Sequence, residues 1–166
     1  AYPARTVIGR VSEGKMSKTE SLTTWELLRT SMELRSSVNK KLEQLGLEYV
    51  FDLITYNSGR SNAKKTEHTD NTHEFNRVLT ELCLVDKTSG ALLTHRDVGV
   101  GISQLIPIIV STVVEKKSVL LVEQPELHIH PALQAKISDL FIESALGARK
   151  NKFILETHSE HLILRI

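Results

Sequence analysis

The chain has 166 residues, of which 40% are hydrophobic and 25% are charged, and its formal net charge is +1. These values suit one domain with a buried core, or half of a larger domain. No apolar stretch is long enough to span a bilayer and no signal peptide is recognisable, so we predict a cytoplasmic protein. The single cysteine, Cys83, excludes an internal disulfide and is expected to be buried. The balanced charge argues neither for nor against a nucleic-acid face.

The amino-terminal third predicts one long helix. Thr23 is a plausible N-cap because Glu26 follows three residues later, and Gly46 is a plausible C-cap. An apolar stripe between them predicts the buried face, with the members Trp25, Leu28, Met32, Val38, Leu42 and Leu45.

The middle of the chain predicts β-structure. Residues 48–56 alternate as in a strand, and residues 57–73 are polar and typical of a solvated loop. Residues 77–95 predict two strands around a turn at 87–90, which form an antiparallel hairpin.

From Ile102 onward the predicted order is helix, strand, helix, strand. The first helix carries Pro107 in its first turn, the strand "SVLLVE" follows, and the second helix covers Pro131 to about Leu146. The strand "KFILET" comes next. This order predicts an α/β fold with a mainly parallel sheet, flanking helices and the antiparallel hairpin near residues 82–94.

The end of the strand "SVLLVE" carries the first candidate site residues. A carboxylate at the carboxyl end of a buried parallel strand, here Glu123, is how P-loop ATPases hold Mg²⁺ near phosphates. The next residue should orient or deprotonate the attacking water, and here it is Gln124. A glutamine positions water but cannot accept its proton, so hydrolysis should be slow, substrate-assisted or helped by a neighbour such as Glu126 or a histidine.

Two further segments could contact phosphate. In "DVGVGISQ", Gly99 and Gly101 precede Ser103 and a helix, which gives a loop with N–H groups, a hydroxyl and a positive helix end. In "FILETHSEH", His158 follows a strand, as a side chain that reaches a terminal phosphate would. Each feature alone is also compatible with an ordinary turn or a structural histidine.

The order of these segments resembles the carboxyl-terminal half of an ABC-type ATPase of the SMC and OLD branch. "VGVGISQ" resembles the signature motif, "SVLLVEQPELHIHP" resembles Walker B running into the D-loop, and "ETHSEH" resembles the switch-histidine loop. A group of bacterial predicted ATPases with a glutamate-glutamine-proline-glutamate Walker B is also similar in the upstream segments "AYPARTVIGRV" and "VNKKLEQLGLEY". The resemblance therefore extends over nearly the whole chain, residues 1–166, as one partial ATPase domain.

The resemblance implies a role for each motif residue. Glu123 would hold Mg²⁺, Gln124 would position water with help from Glu126, and His158 would sense the γ-phosphate. The signature residues Gly99, Gly101, Ser103 and Gln104 would contact ATP held by a second subunit, and His128 and His130 would orient the D-loop or pack at the dimer interface. The implied partners are the P-loop half of the same protein, a second copy on ATP binding, and DNA or a nuclease.

Two other interpretations compete. Gly9 to Met16 fits the P-loop spacing, but Met16 replaces the Mg²⁺-binding Ser or Thr, so we interpret the match as chance and expect the P-loop far upstream. The histidines suggest a metal-dependent hydrolase instead, in which His128, His130 and His158, together with Glu126 and His161, build a zinc or two-metal site. A non-catalytic interaction fragment is the third possibility for the isolated chain.

Overall fold

The structure, a computed structural model, describes residues 8–12, 15–18, 21–57, 78–94 and 97–166. Most of the predicted polar loop, residues 58–73, lies outside these ranges. The described elements follow in chain order: β1 Ile8–Ser12, β2 Lys15–Lys18, α1 Ser21–Thr30, α2 Met32–Leu45, β3 Tyr49–Asn57, β4 Val78–Asp86, β5 Leu92–Leu93, α3 Val100–Val114, β6 Val119–Glu123, α4 Pro131–Leu146, β7 Lys152–Glu156 and α5 Glu160–Ile163. None of the helices in these ranges has the length and apolar character needed to cross a membrane.

The first sheet has the strand order β2-β1-β6-β7. The strands β6 and β7 pair in parallel, and β1 pairs antiparallel with both of its neighbours. The side chains of β6 alternate, with Leu120 and Val122 buried and Val119 and Leu121 half-buried. The α/β class is confirmed. Among the described strands, however, β6 and β7 are the one parallel pair, so this sheet is more mixed than the predicted, mainly parallel one.

The second sheet, in the order β3-β4-β5, is antiparallel throughout. This confirms the predicted strand and hairpin, whose turn is closed by the Asp86 carboxylate accepting from the N–H groups of Thr88 and Ser89. Cys83 is buried in β4, as expected. Burial raises the pKa of its thiol, and the charges of Asp52 and Glu81 act in the same direction, which disfavours the nucleophilic thiolate.

The predicted long helix is divided in two. The first helix already begins at Ser21, so the prediction of Thr23 as N-cap was wrong. Ser31 interrupts the helix in an extended conformation, and its hydroxyl accepts from the N–H of Leu34 at 3.1 Å. Because the chain changes direction there, Met32 is 79% exposed and does not belong to the buried stripe.

The second helix is held against α4 by polar contacts. Gly46 has a positive φ of 76° and ends α2, as predicted. The Lys136 ammonium of α4 donates to the Leu45 carbonyl at 3.0 Å, which places a positive charge at the negative end of α2. Lys41 and Glu143 form an ion pair at 2.5 Å. These contacts fix α2 relative to the helix that follows β6.

The central helix α3 starts earlier than predicted. It begins at Val100, so Pro107 lies in the helix interior and not in the first turn. An interior proline removes one backbone donor and normally destabilises a helix. The apolar side chains of α3 that are almost completely buried, Leu105, Ile106, Ile108, Ile109 and Val110, supply compensating hydrophobic stabilisation.

Asn151 joins three elements at the amino-terminal edge of β6 and β7. The residue is 3% exposed, and its side-chain amide oxygen accepts from the N–H of Ser118 at 3.0 Å. Its amide nitrogen donates to the Glu115 carbonyl at 2.9 Å and to the Ser144 hydroxyl at 3.0 Å. One amide therefore connects the end of α3, the start of β6 and the last turn of α4.

We predict that Asn151→Ala lowers the free energy of unfolding by about 2–4 kcal/mol, because it removes the three hydrogen bonds that this buried amide makes to Ser118, Glu115 and Ser144. Urea denaturation of the purified protein measures this change. The exposed amide Gln44 provides the control, since Gln44→Ala should change stability by less than about 0.5 kcal/mol. Equal effects of the two substitutions would contradict the assigned role of Asn151.

Candidate active site

The carboxyl ends of β6 and β7 meet at one edge of the first sheet. Glu123 ends β6 with an exposed side chain and is the register partner of Glu156 at the end of β7. The N–H of Gln124 donates to the Glu156 carbonyl at 2.8 Å, which extends the parallel ladder by one bond. Gln124 then takes a positive φ of 46°, so the chain leaves the sheet at this residue. Glu123 and Gln124 therefore lie at the carboxyl edge of the first sheet.

Residues 124–130 form a closely bonded turn, which we call the β6–α4 turn. The N–H of Leu127 donates to the Gln124 carbonyl at 3.1 Å, and the N–H of Ile129 donates to the Glu126 carbonyl at 3.1 Å. Pro125 and Ile129 are buried and anchor the turn, whereas the His128 side chain is exposed. The resulting turn fixes the backbone and leaves the imidazole of His128 accessible.

The Glu126 carboxylate links this turn to the segment after β7. One oxygen accepts from the Thr157 hydroxyl at 2.8 Å, and the other accepts from the N–H of His158 at 2.8 Å. A charged acceptor forms stronger hydrogen bonds than a neutral one, so Glu126 holds the two loops together. The geometry therefore favours a positioning role for Glu126 over the helping role in proton transfer that the sequence suggested.

A second link was not found from the sequence. The Gln134 amide donates to the Ile129 carbonyl at 2.8 Å and accepts from the Ser159 hydroxyl at 2.6 Å. Ser159 also caps α5, because its hydroxyl accepts from the N–H of Leu162 at 3.1 Å. The N-cap position of Ser159 was recognisable from the sequence, but its contact with a glutamine 25 residues away was not.

The start of α3 packs against the same turn. Gly99 is the N-cap of α3, and Gly101 lies in the first turn of the helix. A methyl group added at Gly101 would overlap the His128 carbonyl oxygen and lie 3.0 Å from the carbonyl carbon, whereas one added at Gly99 would meet no atom within 4 Å. Ser103 and Gln104 follow on α3 and are half-buried. Close packing at Gly101 thus brings the start of α3 and the β6–α4 turn together within one subunit.

The four histidines that the structure describes, His128, His130, His158 and His161, do not form a metal-binding group. His130 is the N-cap of α4, and its Nδ1 accepts from the N–H of Ala132 at 3.2 Å. His158 and His161 are exposed. Among the residues that the structure describes, no group of three or more His, Cys, Asp or Glu side chains is arranged to hold a metal ion. The described geometry gives no support to the metal-dependent hydrolase.

The described residues of the segment Gly9 to Met16 lie in two strands, which is not the context of a phosphate loop. Gly9 lies in β1 and Lys15 lies in β2, and these strands pair antiparallel with Ser12 opposite Lys15. A P-loop lysine instead opens a helix that follows a strand. The interpretation of this match as chance agrees with the observed pairing.

Glu123 is suited to Mg²⁺ by its chemistry. Mg²⁺ in nucleotide sites is commonly bound by one or two carboxylates together with phosphate oxygens and water. The carboxylate of Glu123 is exposed at the sheet edge, so its oxygens are accessible to such an ion. The residues present therefore fit this cofactor.

The fold is similar to that of solved SMC ATPases and Smc heads. A chain from a structural study of ATP-driven dimerization and DNA-stimulated activation of SMC ATPases matches with a TM-score of 0.55 and 14% identity, over 86% of this chain and 78% of that one. An Smc head bound to the C-winged helix domain of ScpA matches with a TM-score of 0.56 and 12% identity, over 87% of this chain and 43% of that one.

A third structure, from Pyrococcus furiosus, is an Smc head domain with an extended coiled coil bound to the C-terminal domain of ScpA. It matches with a TM-score of 0.53 and 13% identity, over 88% of this chain and 33% of that one. The chain thus spans less than half the length of two of these three structures. A search of curated proteins gives no match.

The family match and the fold together support an ATPase lobe. The chain belongs to the AAA ATPase domain family, which it matches over residues 7–163. The resemblance to an SMC-like ATPase is thereby confirmed.

We predict that Gly101→Ala destabilises the protein by about 1–3 kcal/mol, because the added methyl group displaces the His128 carbonyl. Helix propensity alone predicts the opposite effect, because alanine stabilises a helix by about 1 kcal/mol relative to glycine. Thermal unfolding measures the difference, with Gly99→Ala as the matched control. Stabilisation by Gly101→Ala would show that the helix and the turn are not closely packed.

Proposed function

We propose that the chain is the signature-bearing lobe of an SMC-like and OLD-like ABC ATPase, which binds and hydrolyses ATP with Mg²⁺ between two subunits. The observation that carries the proposal is the convergence of three loops. Glu126 bonds the β6–α4 turn to the segment that bears His158, and Gly101 packs against the backbone of His128. These are the segments that resemble Walker B with the D-loop, the switch loop and the signature motif.

Each site residue has a task in this proposal. Glu123 holds Mg²⁺, which neutralises charge on the phosphates when bound, and Gln124 orients the attacking water. His158 contacts the γ-phosphate from its exposed position after β7. The signature residues Gly99, Gly101, Ser103 and Gln104 face the ATP of the second subunit. His128 and His130 lie on the turn that meets this subunit, and His130 also caps α4.

The proposal includes partners that complete the site. Lys15 lies in a strand, so the phosphate-binding lysine must come from another segment, and we assign it to a P-loop half of the same protein. ATP shared between two copies would close a homodimer, because each nucleotide adds contacts that exist only in the closed state. We further propose that this cycle runs in the cytoplasm, with DNA metabolism or phage defence, on DNA or beside a nuclease, as its output.

We expect Ser103→Arg in the full-length protein to abolish ATP-driven dimerization, because a long charged side chain at the signature serine would obstruct the second subunit. Sedimentation of the protein with ATP under non-hydrolysing conditions measures the dimer. Ser36→Arg, at an exposed position of α2, is the matched control and should dimerize like the parent. A Ser103→Arg protein that dimerizes normally would refute the proposed interface.

The second test addresses turnover. We expect His158→Ala to reduce the ATP hydrolysis rate by about 100-fold, comparable to the loss of one preorganised transition-state donor, while ATP affinity changes little. Steady-state phosphate release and nucleotide titration separate the two quantities. His161→Ala discriminates the metal-dependent hydrolase, which would lose activity in both variants, whereas the ATPase should lose it in His158→Ala alone.

A further inference from the structure

Unless the substrate itself takes the proton, hydrolysis at this site needs a proton acceptor, and the carboxylates of the recognised motifs do not supply one. The attacking water loses a proton during ATP hydrolysis, and the carboxamide of Gln124 cannot accept one. The Glu126 carboxylate is occupied on both oxygens by Thr157 and His158. Glu123 is assigned to Mg²⁺, which withdraws electron density from the carboxylate it binds. The acceptor must therefore be sought among the other groups at the sheet edge.

Glu156 has the required position. It is the last residue of β7 and the register partner of Glu123, and its carbonyl accepts from the N–H of Gln124 at 2.8 Å. Neighbouring parallel strands lie about 4.8 Å apart, and paired residues direct their side chains to the same face. Glu156 therefore stands one strand from the Mg²⁺ residue and is bonded through its backbone to the water-positioning residue.

The alternation of both strands defines the face on which these carboxylates lie. Val122 and Leu155 point to the face that packs against the core, where Phe153 of β7 meets Phe141 of α4 with ring centroids 5.0 Å apart. Glu123 and Glu156 alternate with them and are exposed on the opposite face. Within the described part of the chain, the Glu156 side chain makes no hydrogen bond or ion pair, so its carboxylate is accessible to solvent.

We propose that Glu156 is a further catalytic residue, the general base that replaces the carboxylate missing at Gln124. This assignment rests on the proposed ATPase function. As the water oxygen bonds to the γ-phosphorus, its proton passes to the Glu156 carboxylate. The bond between the γ-phosphorus and the bridging oxygen breaks, and ADP leaves with that electron pair. Glu156 returns the proton to solvent as inorganic phosphate departs.

The test compares three variants of the full-length protein with the parent. Glu156→Gln should lower the maximal rate of phosphate release at least 100-fold, the lower bound for a positioned general base. Binding of a non-hydrolysable ATP analogue and the Mg²⁺ concentration for half-maximal activity should stay as in the parent. The double variant Gln124→Glu with Glu156→Gln should recover most of the rate, because it moves the carboxylate to the neighbouring strand end. Glu81→Gln, on an exposed strand position of the second sheet, is the matched control and should keep the parental rate.

The outcomes separate this assignment from the proposed function. A parental rate in Glu156→Gln would overturn the role of Glu156 alone. A loss that excess Mg²⁺ restores would also overturn it, because Glu156 would then be a metal ligand. A full-length parent that does not hydrolyse ATP would overturn the proposed function and the assignment together.

Discussion

The parallel pairing of β6 with β7 is the constraint on which the site depends. In-register pairing from Val119 to Glu123 brings the carboxyl ends of two strands to the same edge of the sheet. The bond from the Gln124 N–H to the Glu156 carbonyl continues this register past the end of β6. Side chains separated by more than 30 residues along the chain are thereby brought within one strand spacing, and neither strand could shift by one residue without turning its buried side chains towards solvent.

Three glutamates at this edge differ by their partners and not by their intrinsic chemistry. Glu126 is engaged by a hydroxyl and a backbone N–H, which makes it a connection between two loops. Glu123 and Glu156 are exposed and accessible to an ion or a water molecule. A carboxylate held by two donors is suited to fixing geometry, whereas an accessible one is suited to binding a cation or accepting a proton.

Local sequence patterns predicted most elements near the site. The apolar run of β6, the proline that opens α4 and the glycine that ends α2 are signals that neighbouring residues establish by themselves. The division at Ser31 was missed because one serine hydroxyl capped a new helix within a continuous helical pattern. The interior position of Pro107 was missed because burial of α3 outweighs the local cost of proline. The antiparallel pairing of β1 with β6 depends on contacts between segments more than 100 residues apart, which no local pattern encodes.

The same distinction explains which candidate site residues the sequence could suggest. The positions of Glu123, Gln124 and His158 were recognisable because each ends a strand or follows one, and strand ends are visible in the hydrophobic pattern. The positioning contacts of Glu126 and Gln134 were not recognisable, because they depend on where the chain returns after β7. Glu156 was visible as a residue in the last strand, but its relation to Glu123 follows from the register alone. In a parallel sheet the space beyond one strand end is shared with the end of the next. A carboxylate that is lacking at one strand end can therefore be supplied by the neighbouring strand.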